Sequence, residues 1–255
     1  MNRFSMWSLV IALALVAGTS ANAADFKGFY VGANVGASWG SSQVHTVPIF
    51  SPTGYFAGSS VGAISLAAEH TLKPTRFIGG VQAGYNFESG IWLYGVETSI
   101  SSVHLNDSAS GTNTYPCCAP TAFTIRQSIS TTWMSTIRGR FGVTHGPWLI
   151  YGTGGLATTD RDYEAVFTDT FATAHESGSS THNVMGWVAG GGVEAKTSKH
   201  WSLKGEFLHA DFGDTIFTST NLTAFTPPIA FPTNIFTHTA GLTENLITFG
   251  FNYHF

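Results

Sequence analysis

The stretch Phe251-Asn252-Tyr253-His254-Phe255 decides the fold, because it alternates aromatic and polar side chains up to the last residue. Side chains alternate across a β-strand with a period of two, so the three aromatic residues share one face and the two polar residues the other. A barrel strand in lipid has one apolar face, one polar face and aromatic side chains at the membrane interface. The stretch therefore predicts a barrel strand in an outer membrane. An ordinary amphipathic strand of a soluble sandwich has the same alternation, so other segments have to decide between the two.

The opposite end of the chain has the three parts of a secretory signal peptide. Met1-Asn2-Arg3 is a short basic start, residues 8–17 are an apolar run, and Ala21-Asn22-Ala23 is a small-residue cleavage site. The apolar run is shorter than the about 20 residues that a helical membrane anchor needs, which disfavours an anchor as the rival interpretation. We therefore expect a signal peptide at residues 1–23 and one outer-membrane β-barrel domain at residues 24–255.

The composition favours a membrane barrel over a soluble or disordered chain. Charged side chains are only 10% of the 255 residues, whereas roughly a quarter is usual in soluble domains. Aromatic side chains make up 14%, which disfavours disorder. Beyond the predicted signal peptide no apolar run approaches the length of a helical span, and only helices and closed barrels satisfy the backbone in lipid. The formal net charge of −4 argues against a nucleic-acid partner, which requires a basic surface.

Eight segments with alternating apolar and polar residues are expected to be strands. They cover about residues 28–39, 76–88, 91–102, 130–144, 148–159, 183–195, 200–212 and 243–255. Three short turns join neighbouring segments, and the other four connections are long and polar. These four predicted loops are 41–75, 103–129, 160–182 and 213–242. Short periplasmic turns and long extracellular loops are typical of outer-membrane barrels. We therefore predict an all-β fold, an eight-stranded antiparallel transmembrane up-and-down β-barrel.

The polar faces of the middle segments carry acids and bases in equal number. These six residues are Glu97, Arg138, Arg140, Glu194, Lys204 and Glu206. The opposite faces carry Trp, Tyr and Phe near the segment ends, where the aromatic girdles of barrels lie. We therefore expect the charged faces to turn inward and to form a balanced ion-pair network in the lumen. Eight strands enclose an interior that side chains just fill, so the sequence predicts at most a weak porin activity for small solutes.

Short motifs follow one another through the chain in the order of the predicted strands. They are KGFYVGANVG from Lys27, GGVQAGYNF from Gly79, RGRFG from Arg138, YGTGGLA from Tyr151, GGGVE from Gly190 and KGEF from Lys204. They resemble the OmpA-like, opacity-type porin family of Gram-negative bacteria, and within it the outer-membrane immunogenic proteins. The resemblance implies an eight-stranded barrel in the cell outer membrane with variable, surface-exposed loops, and it does not imply one biochemical activity. It also implies that the barrel-assembly machinery recognises an aromatic C-terminal signal, which is Phe251, Tyr253 and Phe255 here.

Patterns that carry cofactor or metal chemistry are weak in this chain. Residues 152–157 fit the loose pattern G-x-G-x-x-A, but no apolar-periodic helix follows them, as a dinucleotide site requires. Cys117 and Cys118 are adjacent, and either a vicinal disulfide or two free thiols fits the sequence. Nothing near them completes a set of metal ligands. We expect no cofactor and no metal.

One group of residues bears on whether the barrel is an enzyme. His209 and Asp211 share a strand face near Glu206, and such a pair could orient a base for a serine nucleophile, although no serine is tied to it by sequence. We therefore predict a structural or surface-interaction barrel, not an enzyme. The alternative is a barrel enzyme that acts on lipid or peptide at the membrane surface. The expected partners are outer-membrane lipid and lipopolysaccharide, the assembly machinery during biogenesis, and a host or surface ligand at the extracellular loops.

Overall fold

The computed structural model describes residues 25–255, and the predicted signal peptide at residues 1–23 lies outside them. These described residues form one short helix and eleven strands. In chain order these are β1 (Gly28–Pro48), α1 (Gly58–Ala67), β2 (His70–Leu72), β3 (Thr75–Ser89), β4 (Trp92–Thr114), β5 (Ala122–His145), β6 (Trp148–Asp169), β7 (His175–Lys196), β8 (Trp201–Ser219), β9 (Thr223–Ala224), β10 (Ile229–Ala230) and β11 (Phe236–His254). Within the described residues no helix has the length and hydropathy that a membrane crossing requires.

The eight long strands pair in antiparallel fashion and close into a ring. Around the ring they follow the order β1, β3, β4, β5, β6, β7, β8 and β11. The terminal strand β11 closes it by pairing with β1, from Tyr30 opposite His254 to Pro48 opposite Phe236. Large apolar side chains cover the outer wall. Val96, for example, is 55% exposed. The predicted fold class is confirmed.

Short turns lie at one end of the barrel, which we call the turn end. Gly90 between β3 and β4 and Gly146 between β5 and β6 have φ angles of 63° and 56°. This left-handed region favours glycine, since glycine has no Cβ to clash with the backbone. At the opposite end, the loop end, the connections are residues 49–74, 115–121, 170–174 and 220–235.

The strands run further toward the loop end than the sequence predicts. The predicted loops 103–129 and 160–182 are largely paired strand, and only residues 115–121 and 170–174 connect them. Their outward side chains there are small and polar, for example in Asn106-x-Ser108-x-Ser110. Because an outer wall above the lipid needs no apolar face, this part of the strands has the polar composition of a loop.

Three register shifts occur where the outer wall changes from apolar to polar. They lie between Ser102 and Leu105, between Ser130 and Met134, and between Gly241 and Thr243. A β-bulge kinks its strand and re-aims the side chains that follow. We take these bulges as the level at which the barrel leaves the lipid.

Above the bulges two gaps in the strand pairing are closed by other parts of the chain. The first lies between β1 and β4 and is filled by α1 and β2, which pairs with β1 at Ser42 and Leu72. The second lies between β7 and β8, whose pairing ends at Trp187 and Asp211. There Arg161 reaches across from β6 and donates from Nη1 to two carbonyl oxygens at 3.2 Å, those of Gly213 and Ala240.

Layers of side chains fill the interior. A small apolar cluster closes the turn end, an ionic layer and an apolar layer follow, and a polar layer and an aromatic cap complete the loop end. The cluster is Phe26, Leu93, Leu149 and Tyr151. The apolar layer includes Ile78, Leu105, Met134, Val188, Leu208 and Leu246. The polar layer is Thr46, Gln127, Glu176, Ser219 and His238. The aromatic cap includes Phe56, Tyr115, Phe123, Phe167 and Phe236.

Candidate functional site

The structure brings all six predicted lumen residues together in the ionic layer. Four strands supply them, and each points inward because it alternates with a lipid-facing neighbour. They are Glu97 on β4, Arg138 and Arg140 on β5, Glu194 on β7, and Lys204 and Glu206 on β8. None is more than 6% exposed. The strand register places Glu97 opposite Arg138 and Glu194 opposite Lys204.

Ion pairs connect these residues into one network. Arg138 bridges two carboxylates, since it contacts Glu97 and also donates from Nη1 to Glu206 Oε2 at 2.8 Å. Lys204 Nζ lies 3.0 Å from Glu97 Oε1, and Arg140 Nη2 lies 2.7 Å from Glu194 Oε2. The three acids and three bases balance, as buried charges must in order to offset the cost of desolvation.

Residues that the sequence did not single out complete the network. The Tyr30 hydroxyl donates to Glu97 Oε2 at 2.7 Å, and the Tyr151 hydroxyl donates to Glu206 Oε1 at 2.7 Å. The Arg140 guanidinium lies 4.1 Å from the centre of the Tyr151 ring. The inward parity of Tyr30 and Tyr151 on their strands is the signal that could have identified them.

Two inward glycines make room for these tyrosines. A Cβ on Gly84 would collide with the Tyr30 hydroxyl oxygen, and one on Gly192 would lie 2.6 Å from the hydroxyl oxygen of Tyr151. At these two positions the absence of a Cβ therefore admits a tyrosine ring into the lumen. The layer is thus packed, neutral and hydrogen-bonded, which suits it to block the lumen and to fix the strand register.

The residues considered for an enzymatic site do not lie together in the structure. His209 and Asp211 face outward on β8, whereas Glu206 faces into the lumen on the other side of the wall. His209 Nδ1 lies 2.8 Å from Asn245 Oδ1, and the Asp211 carboxylate accepts from the backbone N–H of Gly213 at 2.8 Å. Neither carboxylate orients the imidazole.

The terminal aromatic residues lie on the outer wall at the turn end. Phe255 is 69% exposed, and its ring centroid lies 5.5 Å from that of Phe29 and 5.1 Å from that of Tyr253. Phe251 is 49% exposed and packs against Trp201. The geometry leaves these side chains accessible for recognition, and their role in assembly stays a prediction.

The loop end carries a second feature, a group of exposed apolar side chains that we call the loop-end platform. It consists of Ile49, Phe50, Leu66, Phe171, Phe225 and Ile229. The half-buried ring of Tyr55 supports it, with centroid distances of 6.3 Å to both Phe171 and Phe225. Beneath Tyr55 the Phe56 ring packs edge-on against Phe167 of the aromatic cap at 5.4 Å. The exposed side chains therefore stand on a packed support.

Hydrogen bonds to one carboxylate hold the base of the platform. The hydroxyls of Tyr55 and Tyr115 both donate to Asp169 Oδ2, and the backbone N–H of Ala174 donates to Asp169 Oδ1 at 2.8 Å. Burial, together with the Asp169 carboxylate, raises the pKa of Tyr55 and of Tyr115 well above the usual tyrosine range. Both hydroxyls therefore remain donors at neutral pH.

The two cysteines are joined at the loop end. Cys117 and Cys118 form a disulfide within the 115–121 connection, and Cys118 packs against the aromatic cap. The Cys117 Sγ lies 3.7 Å from Ser60 Oγ of α1. Of the two states compatible with the sequence, the structure has the vicinal disulfide.

The comparisons with known proteins agree with this architecture. Residues 8–255 match the model of the outer membrane protein beta-barrel domain family. The chain is similar to the 31 kDa outer-membrane immunogenic protein of Brucella melitensis, with 32% identity over 140 residues, or 54% of each chain. It is also similar to the 22 kDa outer membrane protein of Rhizobium leguminosarum, with 26% identity over 65% of this chain and 66% of that one. The match thus spans about half the length of the Brucella relative.

Among solved structures, the outer-membrane protease OmpT of Escherichia coli aligns with a TM-score of 0.44 and 6% identity, over 94% of this chain and all of that one. No functional conclusion follows from a similarity of this level. The family model, in contrast, covers nearly the whole chain, and the chain forms the closed ring with an apolar wall that such a family requires. This chain therefore belongs to the outer-membrane protein β-barrel domain family and is a protein of the outer membrane.

Proposed function

We propose that this outer-membrane protein is a closed, non-catalytic barrel whose function is to present the loop-end platform to partners outside the cell. The filled interior carries the proposal. Between the cluster around Leu149 and the cap around Phe167 the ionic, apolar and polar layers succeed one another, and each is formed by buried side chains. Such packing leaves solutes no wide water path, so any porin activity is weak.

An enzymatic function has less support than surface interaction. The acids and bases of the ionic layer are paired with one another at the turn end, where no external substrate reaches them. The outward His209 is hydrogen-bonded to an amide and not to a carboxylate. A base needs a partner that orients it and a nucleophile within reach, and the described residues do not provide these around His209.

The partners follow from the two surfaces. The apolar outer wall contacts outer-membrane lipid, with lipopolysaccharide at the level of the bulges, and the barrel-assembly machinery reads Phe251, Tyr253 and Phe255 during insertion. The Brucella relative is described as immunogenic. In this chain, a loop end displayed on the cell surface would account for contacts with a host or with another surface.

Planar-bilayer recordings of the purified protein test the closed barrel. We expect no large unitary conductance from the wild type, and an increased conductance from Arg138→Ala or Arg140→Ala, because each substitution removes a side chain from the ionic layer. A large unitary conductance of the wild type would contradict the proposal. Turnover of phospholipid, lipid A or peptide by the same preparation, abolished in His209→Ala, would favour the enzyme instead.

A further inference from the structure

We propose that the loop-end platform docks on a second lipid bilayer of zwitterionic composition, and that its apolar side chains insert into the headgroup region of that bilayer. This inference rests on the proposed function, because it names the partner of the same platform. Four observations support it: the exposure of the platform, its lack of charge, its shape and its height above the membrane.

The platform exposes large apolar side chains that the fold could have buried. Leu66 is 75% exposed, Phe171 is 55% exposed and Phe225 is 44% exposed. The Tyr55 ring, which stands on the aromatic cap, holds Phe171 and Phe225 in position, so little conformational entropy is lost when these two rings are buried against a partner. The exposed rings of Phe171 and Phe225, both packed against Tyr55, form a preorganised apolar surface of the kind that marks an interaction site.

The loop end carries little charge: Glu69 and His175 are exposed at its margin, and the Asp169 carboxylate lies half-buried beneath Tyr55. The connecting residues 49–68, 115–121, 170–174 and 220–235 contain no Asp, Glu, Lys, Arg or His. Charged side chains return directly below, for example Arg126 on β5, which is exposed on the outer wall. With no Lys or Arg in these connecting residues and few acids near them, the platform offers little to attract a nucleic acid, a sulfated polysaccharide, an anionic lipid or a basic peptide. Its partner is therefore uncharged on balance and apolar at the contact.

The shape of the platform fits a broad surface better than an extended peptide. Its side chains come from three separate connections and not from one continuous segment. The free edge of β10 could in principle accept a strand from another chain. Pro227 and Pro228 immediately precede it, and since proline has no N–H they discourage strand addition. Apolar side chains amid Ser and Thr hydroxyls match the boundary between headgroups and acyl chains, where interfacial segments insert.

The long strands give the platform the necessary reach. Above its bulge β4 continues from Leu105 to Thr114. At about 3.3 Å per residue and a tilt of roughly 40°, this part of the wall raises the platform about 25 Å above the bulges. The platform therefore stands clear of the barrel's own bilayer and faces away from it.

Vesicle flotation tests the proposal. The full barrel, reconstituted in phosphatidylcholine nanodiscs, is mixed with phosphatidylcholine vesicles, and the fraction that floats with the vesicles is measured against empty nanodiscs. We expect the wild type to float and the double variant Phe171→Ser with Phe225→Ser to lose about tenfold or more in binding, because two exposed rings that would insert into the bilayer are removed. The matched control is Ile216→Ser, which replaces an apolar residue that is 67% exposed on the wall of β8 and should bind as the wild type does. Heat-modifiable gel migration verifies that each variant is folded.

Any of the following outcomes would overturn the proposal. Wild-type nanodiscs that do not float, or a folded double variant that floats equally well, show that the platform does not dock on a bilayer. Binding that requires phosphatidylglycerol, or that disappears at about 0.5 M salt where exposed charges are screened, shows an electrostatic contact instead. Dimers in analytical ultracentrifugation that disappear in the double variant identify a second copy of the chain as the occupant. The two claims fail separately. A protein that shows no large conductance but does not float would refute docking on a bilayer, while the proposed closed barrel, which the conductance recordings test, would stand.

Discussion

Tyr30 and Glu97 are 67 positions apart in the chain, and the Tyr30 hydroxyl donates a 2.7 Å hydrogen bond to the Glu97 carboxylate inside the barrel. Their strands, β1 and β4, are not neighbours in the ring there, because β3 lies between them. The bond therefore ties strands that share no backbone hydrogen bonds at this level. The ionic layer acts as an internal cross-brace in addition to the ring of paired strands.

Among the three acids of this layer, Glu97 contacts the largest number of bases: Arg138, Arg140 and Lys204. Replacing it in Glu97→Gln leaves Arg138 and Lys204 buried with less negative charge around them. We expect a loss of about 3–5 kcal/mol in the free energy of unfolding, because an uncompensated buried charge remains. Urea unfolding in lipid vesicles, followed by tryptophan fluorescence, measures it. The control Glu164→Gln changes an exposed acid on β6 and should stay within about 0.5 kcal/mol; equal effects of the two would contradict the role of Glu97.

Gly192 is required by the close approach of Tyr151. In Gly192→Ala the new Cβ would meet the Tyr151 hydroxyl oxygen and the carbonyl oxygen of Gly205, each at 2.6 Å. Overpacking of this kind costs about 1–3 kcal/mol, and the same urea titration detects it. Gly62→Ala is the matched control, since Gly62 lies in α1 and no atom would lie within 4 Å of its Cβ. That substitution should leave stability unchanged or raise it by about 0.5–1 kcal/mol through helix propensity.

Burial, together with the Asp169 carboxylate, makes the loop end sensitive to alkaline pH. The pKa values of Tyr55 and Tyr115 are raised in the folded protein above the ordinary 10.0. The stabilisation that accompanies this shift is present below pH 10 and is lost as the pH rises above 10, because the unfolded chain then releases these protons first. Ultraviolet difference spectroscopy of tyrosinate should show a late-ionising group, and in Asp169→Asn that group should ionise at lower pH. Asp214→Asn, on the outer wall of β8, is the control. An unchanged titration in Asp169→Asn would argue that burial alone sets both pKa values.

Deletion of Phe255 separates assembly from stability. The side chain is 69% exposed and its ring packs against Phe29 and Tyr253 on the outer wall, and the deletion also removes the 3.1 Å hydrogen bond from the Phe255 backbone N–H to the Phe29 carbonyl oxygen. The refolded variant should therefore unfold at a urea concentration only slightly below that of the wild type. Its level in the outer membrane of cells should fall several-fold, which immunoblotting of membrane fractions measures. Phe77→Ala removes an aromatic ring that is 92% exposed on the same outer wall and should keep its membrane level. Normal levels of the Phe255 deletion would rule out the assembly signal.

Period-two alternation was sufficient to predict the ring and the inward charges. Phe251 and Tyr253 lie outside and Glu97 and Arg138 inside, because one face of each strand meets lipid and the other meets packed side chains. The extension of β4 to Thr114 was not predictable in the same way, since its outer face is polar where it leaves the lipid.

Contacts between distant segments could not be predicted from the sequence. Arg161 lies in a predicted loop, and its two acceptors, the carbonyl oxygens of Gly213 and Ala240, follow only from the gap between β7 and β8. The platform gathers Tyr55, Phe171 and Phe225 from three connections. No local periodicity relates these residues, so only the closed barrel brings them together.

The bulged, extended wall affects what an immune system can recognise. Above the bulges β4 and β5 stay paired up to Thr114 and Ala122, so this accessible stretch is held extended with alternate side chains turned inward. An unfolded peptide from residues 105–114 presents all of its side chains, whereas on the cell Leu105 is buried and Asp107 and Ala109 are partly buried. Productive epitopes on this wall are conformational and span neighbouring strands, whereas the 220–235 connection can be recognised as a linear epitope.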